Sequence, residues 1–368
     1  MNLEDIKQAI SEEISTARKT VKTDDYSMSV GELINLYRDG EITLDPAFQR
    51  LFRWEDEQKT KLVESILIGI PIPEIFVAQK GDGTWHVVDG VQRLSTIYQL
   101  AGVLKGENPL KLTLCKYIPS LEGRIWDELP TVTQREFKKS KIKVNIILTE
   151  NSDEAQYELF QRLNTGGTEL SEQEVRNCLM LMIRPEFYEK INELKAYPNY
   201  LDCIKPIKEH QLEKEFHMEL ILRMMIGLEG NTDFSTFEPI SKAVISDFID
   251  KETIRLMGSL DLNDFEQTFK RTFDKLRPTL GDATFKKFDF ERSSFSGAFN
   301  VSAFEMISSG IAKNIDTIEN IGNEKLKEKI KQLYHQEDVI NGLERGVKPI
   351  RRFKDLTHFS VGYFDNNG

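Results

Sequence analysis

Asp89-Gly90-Val91-Gln92-Arg93 gathers an acid, a glycine, an amide and a guanidinium into one short run. The stretch Thr84 to Val88 before it reads as a strand, and a helix starts near Gln92 and ends at Gly102. The chain must therefore turn sharply at Asp89-Gly90, and a glycine there lets a ligand approach the backbone. The first N–H groups of a helix have no intrahelical acceptor, and its dipole is positive at that end, so the element suits a phosphate. Arg93 in the first turn works slightly against the helix dipole, which makes sense if it faces an anion. Asp89 can cap the helix, bind a cation or position water. A capped helix with a solvated arginine would show the same spacing.

Two further segments have the same flavour. Leu44 to Trp54 holds Gln49, Arg50 and Arg53 among Phe48, Phe52 and Trp54. Guanidiniums beside aromatic rings grip phosphate and stack on a base, although packed aromatics with snorkelling arginines fit too. Leu159 to Ser171 reads as a helix end, then a glycine-rich loop over Asn164, Thr165, Gly166, Gly167 and Thr168, then a new helix. Exposed N–H groups in such a loop can hold a phosphate oxygen or a sugar hydroxyl. A plain helix–loop–helix connection is the simpler alternative.

Familiar catalytic patterns are missing. There is no Gly-x-x-x-x-Gly-Lys-Ser/Thr loop, no Gly-x-Gly-x-x-Gly, no His-Glu-x-x-His and no Gly-x-Ser-x-Gly elbow. His86, His210, His217, His335 and His358 are scattered, as surface or packing histidines are. Cys115, Cys178 and Cys203 have no close pairing pattern and are too dispersed for a structural zinc site.

The elements that position these residues follow from periodicity and caps. Helices are expected at about 4–18, with Ile6, Ile10 and Ile14 on one stripe, after the Ser29/Glu32 capping box up to Gly40, and at about 57–68. Strands are expected at 74–79, 84–88 and 141–148, the first two joined by Gly81-Asp82-Gly83. Beyond Ser152 the signals are almost all helical: a second capping box at Ser171/Glu174, then helices near 212–228, 237–257, 261–278, 300–316 and 322–340. The fold class is therefore α+β, with an N-terminal domain over 1–180 and a mainly α-helical C-terminal domain over 181–368.

The 368 residues are 39% hydrophobic and 30% charged, which excludes a disordered or collagen-like chain. No apolar run approaches the length of a membrane helix. The net charge of -11 leaves no molecule-wide basic field, so nucleic acid must be met by a local patch. Met1 to Lys19 does not read as a signal peptide, and the expected location is the cytoplasm, with reduced thiols.

Taken together and in this order, the three segments resemble the GmrSD-type N-terminal domain family, a domain of unknown function in the ParB/sulfiredoxin-like superfamily. Phe48-Gln49-Arg50 with Trp54 matches its first motif, and Asp89-Gly90-Val91-Gln92-Arg93 its Asp-Gly-Gln-Gln-Arg box. Phe160 to Gly167, running on through Leu170-Ser171 to Glu174-Val175-Arg176-Asn177, matches its third, so the likeness covers about residues 25–180. The resemblance implies a small mixed sheet forming a ParB-like nucleotide pocket, and a role in prokaryotic defence against phage and modified DNA. It implies a nucleoside triphosphate with Mg2+, held and activated by Asp89, Gly90, Gln92 and Arg93, with Gln49 and Arg50 facing the same pocket and Asn164 and Thr165 closing it. Asp89, Arg93 and Arg50 would be the catalytic groups; the metal ligands are not assigned.

Two departures matter. Val91 replaces the first glutamine of the box, and residues 180–368 carry no nuclease domain of the HNH type that often follows in the family's restriction enzymes. Intrinsic cleavage of DNA would need an unrecognised site. DNA contact is open to two basic clusters: Arg135, Lys138, Lys139, Lys141 and Lys143, and Arg345, Lys348, Arg351, Arg352 and Lys354. Lys138, Lys139, Lys141, Arg351 and Arg352 are the residues chosen from them; solvated faces, or docking to an acidic partner, fit the same clusters. Two functional readings follow. One is an NTP-hydrolysing protein that acts on DNA or regulates such action. The other is a non-enzymatic DNA- or nucleotide-binding module of a separate nuclease subunit. Neither requires a membrane, and a homo-oligomer is compatible with both.

Overall fold

The structure, a computed structural model, describes residues 3–20, 23–44, 54–148, 171–238, 243–344 and 346–365. Contacts divide the chain into two compact units, Met1–Glu169 and Leu170–Gly368.

The first unit runs α1 (Leu3–Thr20), β1 (Thr23–Ser29), α2 (Val30–Asp39), β2 (Ile42–Thr43), α3 (Asp56–Leu67), β3 (Ile75–Gln79), β4 (Trp85–Asp89), α4 (Val91–Leu100), α5 (Thr131–Lys139) and β5 (Lys141–Ile147). Its strands form one mixed sheet in the order β1-β5-β3-β4-β2. β5 is antiparallel to β1 and parallel to β3, β3 and β4 are antiparallel, and β2 is parallel to β4. The β3–β4 hairpin closes where Asp82 accepts hydrogen bonds from the N–H and hydroxyl of Thr84. Its register shifts between Phe76 and Val77, opposite the end of β4, with Phe76 facing Asp89. A bulge there re-aims the strand end.

α2 forms because Ser29 caps it, accepting the Glu32 N–H, and stops because Gly40 turns left-handed at φ 82°. It buries Val30, Leu33, Ile34 and Tyr37, and α4 buries Leu94, Ile97 and Tyr98. The Tyr37 and Tyr98 rings stack at 4.2 Å.

α3 also organises the chain at 110–124, which has little regular structure. The buried carboxylate of Glu64 accepts three backbone N–H groups, from Lys116 (3.1 Å), Tyr117 (2.8 Å) and Ile118 (2.7 Å). One turn back, the Thr60 hydroxyl accepts the Thr113 N–H at 3.0 Å. The ends of this loop are tied by Leu112 N–H to Arg124 O and Gly123 N–H to Leu112 O. A buried carboxylate needs such donors, and a buried N–H needs such an acceptor.

The second unit holds α6 (Glu172–Ile183), α7 (Pro185–Leu194), α8 (Pro198–Ile204), α9 (Phe216–Glu229), α10 (Ile245–Ser259), α11 (Leu262–Leu280), the hairpin β6–β7 (Lys287–Asp289, Ser294–Ser296), α12 (Val301–Lys313), α13 (Asn323–Leu333) and α14 (Pro349–Asp365), with shorter helical turns between them. α9 is buried from Met218 to Gly227, and α12 from Ser302 to Ala312. Helices that are buried all round sit at the centre of a bundle. Small residues let them close in: a Cβ on Gly227 would run into the Ser309 hydroxyl, and one on Gly310 would lie 2.9 Å from Ser360 O.

The division after Glu169 falls before the break expected at 180. The reason is α6, whose Arg176 is fully buried within the second unit. Its guanidinium donates to Asp250 (2.5 Å), Glu219 (2.9 Å), Gln173 (3.1 Å) and Ser246 (2.7 Å). Glu219 in turn accepts from Arg223, which also pairs with Glu305. Burial raises the cost of ionising Glu219, but Arg223 and Arg176 outweigh it and hold its carboxyl below the usual range.

Candidate functional site

The strand–turn–helix element at Asp89–Arg93 is built as its residue types require. β4 ends on Asp89, Gly90 adopts φ 93°, and α4 begins at Val91 with no side-chain cap on its first turn. Only glycine fits. A Cβ at Gly90 would lie 2.8 Å from Ile75 Cγ1 and 3.3 Å from Nε and Nη2 of Arg93. The Arg93 guanidinium thus folds back over the Gly90 backbone. Its Nη2 donates to Asp89 Oδ2 at 2.7 Å, and Arg93 is the deeper partner, 13% exposed against 48% for Asp89. Asp89 therefore holds the arginine at the mouth of the turn, which refines the picture of a freely solvated cation. A guanidinium carries five donors, and among the described residues Asp89 takes one of them.

Gln92 does a different job. Its Oε1 accepts the backbone N–H of Trp54 at 3.0 Å. The last residue of the Phe48–Trp54 segment is thereby fastened to the Asp-Gly box, two motifs far apart in sequence. Trp54 lies two residues before the start of α3, next to its N-cap Glu55, so the amino-terminal ends of α3 and α4 are tied at this bond. Gln49, Arg50, Asn164 and Thr165 lie outside the described residues.

The third motif continues into α6. Ser171 caps that helix reciprocally: it accepts the Glu174 N–H, and Glu174 accepts the Ser171 N–H. Gln173, Arg176 and Asn177 then turn into the packed interior of the second unit, where Asn177 accepts from Gln173 at 2.9 Å. Arg176 is a structural residue with no local signature, because its carboxylate partners lie on other helices.

The basic clusters separate in character. Arg135, Lys138, Lys139 and Lys141 are exposed, and Lys138 lies over the Trp126 ring at 5.6 Å. Lys143 instead pairs with Asp25 (3.4 Å) and Glu74 (3.5 Å). In the other cluster Arg352 turns inward, donating to Val347 O at 2.8 Å, Lys354 covers the Phe234 ring, and Arg351 is exposed beside Asp355 at 3.4 Å. Arg345 lies outside the described residues. His217 is held neutral, its pKa pushed down to about 4 by burial and by nearby Lys195.

An uncapped helix start, a left-handed glycine and a clamped arginine at the end of an inner strand of the sheet present donors of the kind an anionic group takes. For a divalent cation, the described residues hold no cluster of three acidic, histidine or cysteine ligands. The single half-exposed carboxylate of Asp89 fits Mg2+ as that ion is met on phosphates, with one or two protein carboxylates and several waters. No helix among the described residues is long and apolar enough to cross a membrane.

These features belong to an α+β domain with a small mixed sheet. Residues 30–181 match the family described as GmrSD restriction endonuclease, N-terminal domain. No curated protein and no solved structure matches the chain.

Proposed function

We propose that this protein is a component of a prokaryotic restriction-type defence system that binds a nucleoside triphosphate at the Asp89–Arg93 turn, hydrolyses it, and acts on DNA or regulates such action. The ParB/sulfiredoxin-like placement of the domain belongs to the same reading. The observation that carries it is the Gly90 cradle, with Arg93 laid over the glycine and Gln92 fastened to Trp54. Phosphate oxygens would take the free N–H groups of the first turn of α4 and the remaining donors of Arg93. Arg93, with Arg50, would neutralise charge developing on the transferred group. Asp89 orients Arg93 and would be the residue to hold Mg2+, which would supply charge neutralisation on the phosphates.

The test is phosphate release from each of the four NTPs with Mg2+, with and without duplex DNA. Arg93→Ala is expected to lower release by about a hundredfold or more. Release by the variant at the wild-type rate would place the site elsewhere.

The exposed cations Arg135, Lys138, Lys139 and Lys141 favour a second reading, a regulatory module that binds DNA or nucleotide without turnover and serves a separate nuclease. Salt-dependent DNA binding without phosphate release from any NTP would select it.

A further inference from the structure

The loop at 110–124 is built to display side chains. Glu64 and Glu122 spend their carboxylates on its backbone: Glu64 on the N–H groups of Lys116, Tyr117 and Ile118, and Glu122 on that of Cys115 at 3.0 Å. That bond to the Cys115 N–H holds the Glu122 carboxyl below its usual range, so it stays an acceptor. Leu114 is kept left-handed at φ 56°, a conformation that costs a leucine about 1–2 kcal/mol. The strain is held by the clamp around it. It leaves Leu114 65% and Tyr117 64% exposed, with Ile68, just past the end of α3, also exposed.

What faces outward is cationic and apolar. Lys111, Lys116 and Arg124 are exposed, and the Lys116 ammonium lies 5.7 Å from the Tyr117 ring centroid. Just past the loop, Trp126 O accepts a bond from Gln134 of α5 at 2.9 Å, and the Trp126 ring lies under Lys138. The loop is therefore joined to the helix that carries Arg135, Lys138 and Lys139. A tip of leucine and tyrosine, flanked by exposed Lys111 and Lys116 and by Arg124, which pairs with Glu128 at 4.0 Å, matches a polyanion with flat apolar faces between its charges. Duplex DNA has that chemistry: lysines and arginines take the phosphates, and an apolar wedge or an aromatic ring enters a base step.

We propose that the loop at 110–124 is the element that enters the DNA, with Tyr117 stacking on a base, Leu114 wedging beside it, and Lys111, Lys116 and Arg124 on the flanking phosphates. This rests on the reading that the chain acts on DNA. Because the loop is clamped to α3 at Thr60 and Glu64, and the start of that helix lies two residues past Trp54 on Gln92, one rigid helix spans the loop and the Asp-Gly box.

The full chain is titrated against a labelled 20-base-pair duplex over a range of salt, and against the same duplex with 2-aminopurine at its centre, which brightens on unstacking. Tyr117→Ala is expected to weaken binding about tenfold or more and to abolish the brightening, with the salt slope unchanged. Lys116→Ala with Arg124→Ala is expected to flatten the salt slope by about two. Arg292→Ala, an exposed cation of the second unit, is the control for a general loss of charge. Thermal melts of the variants check folding. If wild type has no affinity for the duplex at low salt, the DNA reading fails and the loop assignment with it. If wild type binds and the loop variants bind and brighten alike, the loop assignment alone fails, and its exposed tip serves a protein partner instead.

Discussion

Arg176→Ala is expected to destabilise the second unit by about 3–5 kcal/mol, and to lower its melting temperature by about 6–20 °C. The size follows from what is left behind. Arg176 is fully buried and donates to Asp250, Glu219, Gln173 and Ser246. Removing it strands carboxylates in a place where water cannot replace the lost donors. Arg176→Lys should recover little, because one ammonium cannot reproduce a fork that reaches four partners on three helices. Arg271 is the contrast. It pairs with Asp316 and Glu319 at the surface, and its removal is expected to cost no more than about 1 kcal/mol. Calorimetry of the three variants checks the order. A drop for Arg176→Ala no larger than that for Arg271→Ala would mean that the buried network contributes no net stability.

Gly90→Ala is expected to remove nucleotide affinity and to cost more stability than the same change at Gly83. Both glycines have positive φ, 93° and 85°, so an alanine at either pays about 1–2 kcal/mol in the backbone. They differ in surroundings. Nothing lies within 4 Å of a Cβ at Gly83, whereas at Gly90 it meets Ile75 at 2.8 Å and the Arg93 guanidinium at 3.3 Å. The added methyl must push Arg93 off the turn, away from Asp89. Denaturant titration and nucleotide binding of the two variants separate backbone strain from loss of the cradle. Unimpaired binding by Gly90→Ala would show that the ligand does not use this turn.

The sequence carried the local structure well where caps and turns spelled it out. Ser29, Gly40 and the reciprocal Ser171/Glu174 pair act as their types suggest, and the Asp-Gly turn joins strand to helix as its residues require. β1 escaped because Thr23 to Ser29 is a mostly polar run at the sheet edge, in which only Tyr26 and Met28 alternate with polar residues. α14 was hidden behind its basic and aromatic composition, although Ile350, Phe353, Leu356, Ser360 and Phe364 line its buried face. What no local pattern contains is pairing at a distance. The Gln92–Trp54 bond, the Arg176 network and the Glu64 clamp each join residues separated by long stretches of chain, and only the fold selects them.

The Glu64 clamp also governs how this protein exchanges its amide hydrogens. Loops outside helices and strands ordinarily trade their hydrogens for deuterium quickly, since only water holds them. The amides of Lys116, Tyr117 and Ile118 are bound instead to an acceptor out of reach of solvent. Their exchange has to wait for the loop to lift from α3, so a peptide covering 115–119 should take up deuterium as slowly as a helix does, while its own side chains stand in water. Glu64→Gln, which leaves a single carbonyl oxygen where two carboxylate oxygens served three donors, should speed that uptake first at Lys116, whose bond is the longest of the three.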